Sequence, residues 1–448
     1  MNAGVMRAML HCGMDTQAMQ TYARATAVRQ FATYPRFLAQ GNISVLTRGM
    51  SSPMGQIILA TLLATMLAFR PVSAMEHQHD AKPRQPQPAL AVGAALDDSG
   101  RLWLARVENQ QLWVSRSDDG GRRFSPPVAV SSRPEDIAAD AENRPKIAVA
   151  RDGTVLLTWS QSLPRKYAGN IRFARSTDGG RSFSAPITLN DDGGIGSHRF
   201  ESLAIDGAGR VAVVWLDGRD RDAAREKKSA FAGSSVYVAE SADNGAHFNA
   251  NRKLTEHTCE CCRTSLVWTA EGPVALWRNL YGTNTRDFAL ANLDTGKVDR
   301  ATDDEWQIDA CPHHGGGLAV DGHGALHLVW FTQGKTRQGL FYKRLAGGRE
   351  SSPMALGDPA AQAGHATVAA AGRMVLITWR EFDGRAYVAR AMHSTDGGAS
   401  WSAPLRLAES GGAADYPLPL TDGKQVLVVW NSATEGVRVL PLDVGNAK

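Results

Sequence analysis

One eight-residue pattern, Ser-x-Asp-x-Gly-x-x-aromatic, constrains this chain more than any other feature, because it recurs four times. The copies are Ser117/Asp119/Gly121/Phe124, Ser176/Asp178/Gly180/Phe183, Ser241/Asp243/Gly245/Phe248 and Ser394/Asp396/Gly398/Trp401. Ser and Asp side chains can bond back to the amides of a tight turn, and glycine supplies a positive φ there. The aromatic residue is expected to pack under the turn. A second repeat interlocks with the first: a short apolar strand, a glycine turn, then a β-rich strand that usually ends in Trp. It falls at 89–106, 146–159 (KIAVARDGTVLLTW), 202–215 (SLAIDGAGRVAVVW), 265–277, 317–330 (GLAVDGHGALHLVW), 366–379 and 418–430. The modules repeat every fifty residues or so, roughly the length of one four-stranded propeller blade.

A third strand, such as 170–175 or 235–240, leads into the octad, and a fourth, such as 183–189, follows it. Four antiparallel strands per module, repeated radially, predict an all-β chain folded as a β-propeller. Seven modules are counted, and six blades remain possible if a terminal module is incomplete. Modules four and five replace the octad with 293–296 (LDTG) and 346–348 (AGG). The last module has no evident fourth strand, and a strand from the mature N-terminus is expected to complete it. The Trp residues at strand ends read as core between blades.

Hydrophobic residues make up 43% and charged residues 21% of the 448, which excludes an intrinsically disordered chain and a polytopic membrane protein. A net charge of +4, with no basic run interleaved with aromatics, argues against nucleic acid as a partner. The apolar run 57–69 (IILATLLATMLAF) is short for a membrane span; Arg48 precedes it and Val72, Ser73 and Ala74 follow it. This is the build of a secretory signal. Residues 1–53 then read as a long or mis-called leader, with Met50 or Met54 as the true start. Residues 54–74 are the signal peptide, 75–87 a flexible tail carrying His77 and His79, and 88–448 a single propeller. The mature chain, from Met75, is expected to be exported, periplasmic or secreted, with no membrane span and four cysteines left once Cys12 is removed.

The octads resemble the Asp-box, or BNR, repeats of the sialidase superfamily, across essentially all of residues 85–448. The resemblance implies that Asp119, Asp178, Asp243 and Asp396 are structural and lie on the rim opposite the active site. The functional face is then formed by the loops leading into each innermost strand and those following each Trp. Family sialidases hold a substrate carboxylate with three arginines, use a Tyr activated by a Glu as nucleophile, and use an Asp as general acid/base. Arg144, in Asn143–Ile147, is similar to the family's Arg-Ile-Pro motif with one residue missing. Arg199 and Arg263 are the other clamp candidates; planar, always-charged guanidinium suits carboxylates. Tyr416 resembles the late family Tyr, with Glu201 or Glu256 as its activator. The loop expected to carry the acid, 161–170 (QSLPRKYAGN), contains no carboxylate, and Asp217 and Asp220 on the next blade are the only nearby substitutes. Glycoside hydrolysis depends on that proton donor. An authentic sialidase is therefore not expected; a glycoside hydrolase acting on acidic sugars stays open as the alternative.

The second constellation is His257, Cys259, Cys261, Cys262 and Arg263 ahead of module four, with Cys311, His313 and His314 ahead of module five. Neighbouring modules at one level should bring all four cysteines together, with His365 ahead of module six close by. Two outcomes are compatible with this. Disulfides, most naturally Cys259 or Cys261 with Cys311, would tie adjacent blades in an oxidising compartment. Alternatively, the thiolates and imidazoles would bind copper or zinc. The expected ligand is therefore a metal, a small molecule or a glycan, held at a Cys/His/Arg cluster on the functional face.

Overall fold

The computed structural model describes residues 89–444 apart from 141, so the segments expected to be a leader (1–53), a signal peptide (54–74) and a flexible tail (75–87) lie outside the described residues. These residues form seven separate antiparallel sheets, resolving the count in favour of seven blades. Blades 1 to 7 span 93–129, 146–188, 198–258, 265–300, 317–356, 364–410 and 418–441. The first six have four strands each, blade 5 splitting its outer edge into Arg349–Glu350 and Met354–Leu356. Blade 7 has three among the described residues; the completing strand expected from the mature N-terminus is not among them, and residues 75–88 lie outside the described residues.

Ring closure is visible in the innermost strands. Gly93–Leu96 packs on Lys146–Val149, and contact passes in turn to His198–Ile205, Ser265–Thr269, Gly317–Val320, Gly364–Ala371 and Leu418–Thr421, which returns to Gly93–Leu96. A separate apolar layer fills each gap between blades; that joining blades 3 and 4, for example, packs Val214, Leu216, Val236 and Val238 against Ala275 and Trp277. Trp159, Trp215, Trp277, Trp330, Trp379 and Trp430 are all fully buried. A buried indole N–H needs an acceptor, and each has one, for instance Asp217 for Trp215 and Glu381 for Trp379.

The octads form the expected turns. Each Ser hydroxyl donates to the Asp carboxylate at 2.7–2.8 Å and accepts the amide N–H of the octad glycine at 2.8–3.0 Å. The octad glycine is constrained twice over. Gly245 has φ +73°, and a Cβ there would sit 2.4 Å from the Phe173 ring of the preceding blade; Gly180 faces Trp103 in the same way at 2.6 Å. The octad aromatic does not simply lie beneath its own turn. Phe248 meets Phe173 edge-on at 4.9 Å and Trp401 meets Tyr342 at 4.8 Å, so these octads also staple blades 3 and 6 to the blades before them.

Among the described residues one α-helix, Arg219–Glu226, follows the strand that carries Trp215 and buries none of its residues. Among the described residues, no helix is long and apolar enough to cross a membrane.

Candidate functional site

Four residues around the loops leading into the innermost strands have positive φ, between 51° and 63°: Phe200 and His365 near the starts of innermost strands, His257 near the end of the outer strand of blade 3, and His313 in the loop ahead of blade 5. Strained non-glycine residues gather where a fold serves a function. Two distinct clusters occupy this face.

The first joins blades 1, 2, 4, 6 and 7. The Arg144 guanidinium donates to the Tyr416 hydroxyl (2.8 Å), the Asp415 carboxylate (2.9 Å) and the Val92 carbonyl (3.0 Å), linking blade 2 to blades 7 and 1. Arg263 donates to the Glu142 carboxylate at 2.8 Å and to the Ala366 carbonyl at 2.9 Å. Both guanidiniums stand over the Tyr416 ring, at 3.8 and 4.7 Å from its centre, and His365 stacks on it at 5.6 Å. Arg144, Arg263, Glu142, Asp415 and Tyr416 are each no more than 4% exposed. Burial pushes the Tyr416 phenol up and keeps it protonated, although both arginines oppose this. Burial also acts against ionising Glu142, yet Arg263 and His365 hold its carboxyl well below the usual range. These guanidiniums are already spent on protein acceptors, so the cluster acts as a polar brace between blades.

Other expected members are elsewhere. Glu201 accepts a hydrogen bond from Ser160 at 2.6 Å, and Glu256 pairs with Lys253; neither bonds to Tyr416. Arg199 packs on Phe200, 4.0 Å from Asp140, rather than beside Arg144 and Arg263. Asp217 is consumed by Trp215 and Arg219, and Asp220 by Ser235 and Tyr237. Lys146 donates to the Arg144 carbonyl, and burial draws its ammonium down to about 8 against the attraction of Glu201. The residue that sequence reasoning missed is Glu142. It accepts from Arg263 N–H and Gly315 N–H and meets His365, joining loops of four blades. Its only sequence signal is its place two residues before Arg144.

The second cluster is sulfur-rich. Sγ–Sγ distances are 3.6 Å for Cys259–Cys261, 3.7 Å for Cys259–Cys262 and 4.0 Å for Cys261–Cys262. All three are buried, Cys311 is half-buried against them, and all four are free thiols here, with no expected disulfide formed. Hydrogen bonds from Cys261 and Cys262 pull the Cys259 thiol well below its ordinary range, reinforced by Arg286, whose Nη1 lies 3.1 Å from the sulfur. Cys261, Cys311 and His313 form a second group whose ligand atoms lie within 4.8 Å of one another. The other two histidines belong elsewhere. His257 is exposed, bonded to the Ala232 carbonyl and set against Phe231; His314 stacks on Phe331 at 4.1 Å and on His365 at 4.5 Å.

A cleft of about 650 Å³ opens beside the sulfur cluster, between the 165–168 hairpin, the helix Arg219–Glu226 and the loops carrying Cys261 and His313. The segment that lacks the expected acid thus lines this cleft instead.

No protein-family model matches the chain, and no curated protein matches it. Among solved structures it is similar to a polysaccharide lyase described as an ulvan lyase (12% identity, 79% of this chain and 91% of that one, TM-score 0.49). It is also similar to a leech intramolecular trans-sialidase (11%, 77% and 82%, TM-score 0.46) and to a Dyadobacter fermentans protein of unknown function (16%, 68% and 94%, TM-score 0.45).

Proposed function

We propose that this chain is an exported, sialidase-like propeller that binds a soft metal ion through Cys259, Cys261 and Cys262, and that it is not an authentic sialidase. One observation carries the reading. A tetrahedral metal with bonds of about 2.3 Å to sulfur separates its thiolates by roughly 3.8 Å, and the three sulfurs stand 3.6, 3.7 and 4.0 Å apart. Buried thiolates favour copper(I), with zinc next. The Arg286 guanidinium at Cys259 offsets the negative charge that several thiolates would gather around a monovalent ion. Export rests on the apolar run 57–69 and the small residues after it.

The test uses the mature chain from residue 75, purified anaerobically with its thiols reduced. Titration with copper(I) against a competing chelator should show tight binding, and the ion held by the triad should be lost in Cys259→Ser/Cys262→Ser. Protein that carries no metal and no reactive thiols would replace this reading with disulfides.

A second reading is favoured by a separate observation, the Tyr416 ring flanked by two guanidiniums. It is a glycoside hydrolase acting on acidic sugars, with Tyr416, Arg144 and Arg263 as its residues. Turnover of a fluorogenic sialoside that disappears in a folded Tyr416→Phe variant would establish it.

A further inference from the structure

Resting on the metal reading of the buried triad, we propose that Cys261, Cys311 and His313 form a second, cleft-facing metal set that shares the Cys261 thiolate with that triad and is loaded from an anionic metal complex. Cys261 belongs to both groups: its sulfur lies within 4.8 Å of the Cys259 and Cys262 sulfurs, and within 4.8 Å of the Cys311 sulfur and a ring nitrogen of His313. A thiolate has enough lone pairs to bridge two soft ions, and the Cys261 sulfur is the atom common to both groups. The sets differ in access. Cys259 and Cys262 are 1% exposed, whereas Cys311 is half-buried, His313 is exposed, and both line the 650 Å³ cleft with Cys261. The inner ion is therefore sealed in, and the outer one can exchange.

The cleft's charge decides what form the metal arrives in. Of its cationic side chains, Arg165 is paired with Asp222 and Arg221 with Glu260. Lys166 and Arg225 are exposed and, among the described residues, make no carboxylate pair, and Arg199 has only Asp140 there, at 4.0 Å. A bare cation would approach against this positive field, while a carboxylate-bearing chelate would be drawn in by it. Loading is then plain ligand exchange. Chelate–metal bonds break as metal–sulfur and metal–imidazole bonds form, each thiol releases its proton to solvent, and the chelator leaves with its own electron pairs. The oxidation state of the metal does not change.

The experiment is an anaerobic titration of the reduced mature chain with copper(I) buffered by bicinchoninate. Two ions per chain are expected for the native protein and one for Cys311→Ser/His313→Ala. A native stoichiometry of one ion overturns the shared, two-ion arrangement while leaving the buried triad intact. A stoichiometry of zero overturns the metal reading as well. The route is tested by stopped-flow loading at low ionic strength. Lys166→Glu/Arg225→Glu, two changes on exposed side chains, should slow transfer from the trianionic bicinchoninate complex by about tenfold and should not slow transfer from the copper(I)–acetonitrile cation. Equal rates for the variant and the native protein with the anionic complex, or equal slowing with both donors, overturn the anionic route.

Discussion

Replacing Glu142 by Gln keeps the shape of the side chain and removes its charge. The native carboxylate is 3% exposed and receives Arg263 Nη1 at 2.8 Å, Arg263 N–H at 2.9 Å, Gly315 N–H at 2.8 Å and the His365 ring at 3.2 Å. Glutamine offers one acceptor oxygen, so its amide hydrogens must face either the guanidinium or the two backbone donors. The buried Arg263 loses its counter-charge in either case. Breaking a buried pair on one side costs about 3–5 kcal/mol. At roughly 2.1 cal/mol/K per residue, a ring of about 350 residues has an unfolding entropy near 0.7 kcal/mol/K, so the melting temperature should fall by about 4–7 °C. Calorimetry or chemical denaturation reads this directly. Removing Arg263 as well, in Glu142→Gln/Arg263→Met, leaves no lone buried charge and should recover about 2–3 kcal/mol relative to the sum of the single changes. A Glu142→Gln protein within about 1 kcal/mol of native, or strictly additive effects in the pair, would refute the brace.

Arg144→Ala, which strips Asp415, Tyr416 and Val92 of a common donor, should cost a similar ~3–5 kcal/mol. Arg199→Ala, at the cleft wall, should stay within about 1 kcal/mol in the same denaturation assay. Gly245→Ala adds strain from positive φ to a clash with Phe173 and should lose about 2–4 kcal/mol, whereas Gly296→Ala, at φ +67° in open space, should lose only about 1–2. Equal losses would refute the stapling role of the octads. His365 gives a pH signature. Burial, with Arg380 and Arg263 nearby, lowers it from 6.5 to about 4 despite the pull of Glu142; His314 and Tyr416 complete its surroundings. Above pH 6.5 the ring is neutral whether folded or unfolded. As pH falls from 6.5 to 4 the unfolded chain takes up the proton first, so stability should decline by up to about 3 kcal/mol. His365→Gln should flatten the stability profile in that window, and an unchanged slope would count against the assignment.

Much of the architecture was legible because it is written in short, local patterns. Each octad closes its own turn with its own Ser, Asp and Gly, and a Trp ends six of the seven modules, so seven repeats were countable in the sequence, while the structure decided between six and seven blades. The meeting of the cysteines was legible one step further on, since a ring sets the loops ahead of neighbouring blades side by side. Glu142 was not, because in Glu142-Asn143-Arg144 it reads as an ordinary loop carboxylate. Its partners Arg263 and His365 lie 121 and 223 residues away. The clamp of three arginines failed for a related reason: Arg199 leads into its blade at the expected depth, but its side chain turns toward Phe200 and the cleft.

The sequence by itself determined the repeating blade, its turns and the residues that could do chemistry, since period and turn chemistry act within eight to fifteen neighbouring residues. Only the tertiary structure decided which of those residues meet. It spent Arg144 and Arg263 on carboxylates and carbonyls of other blades, and it left Cys261 between two groups of ligands. The reason is physical: buried charges and thiols take their properties from whatever surrounds them within a few ångströms, and here those surroundings come from distant parts of the chain.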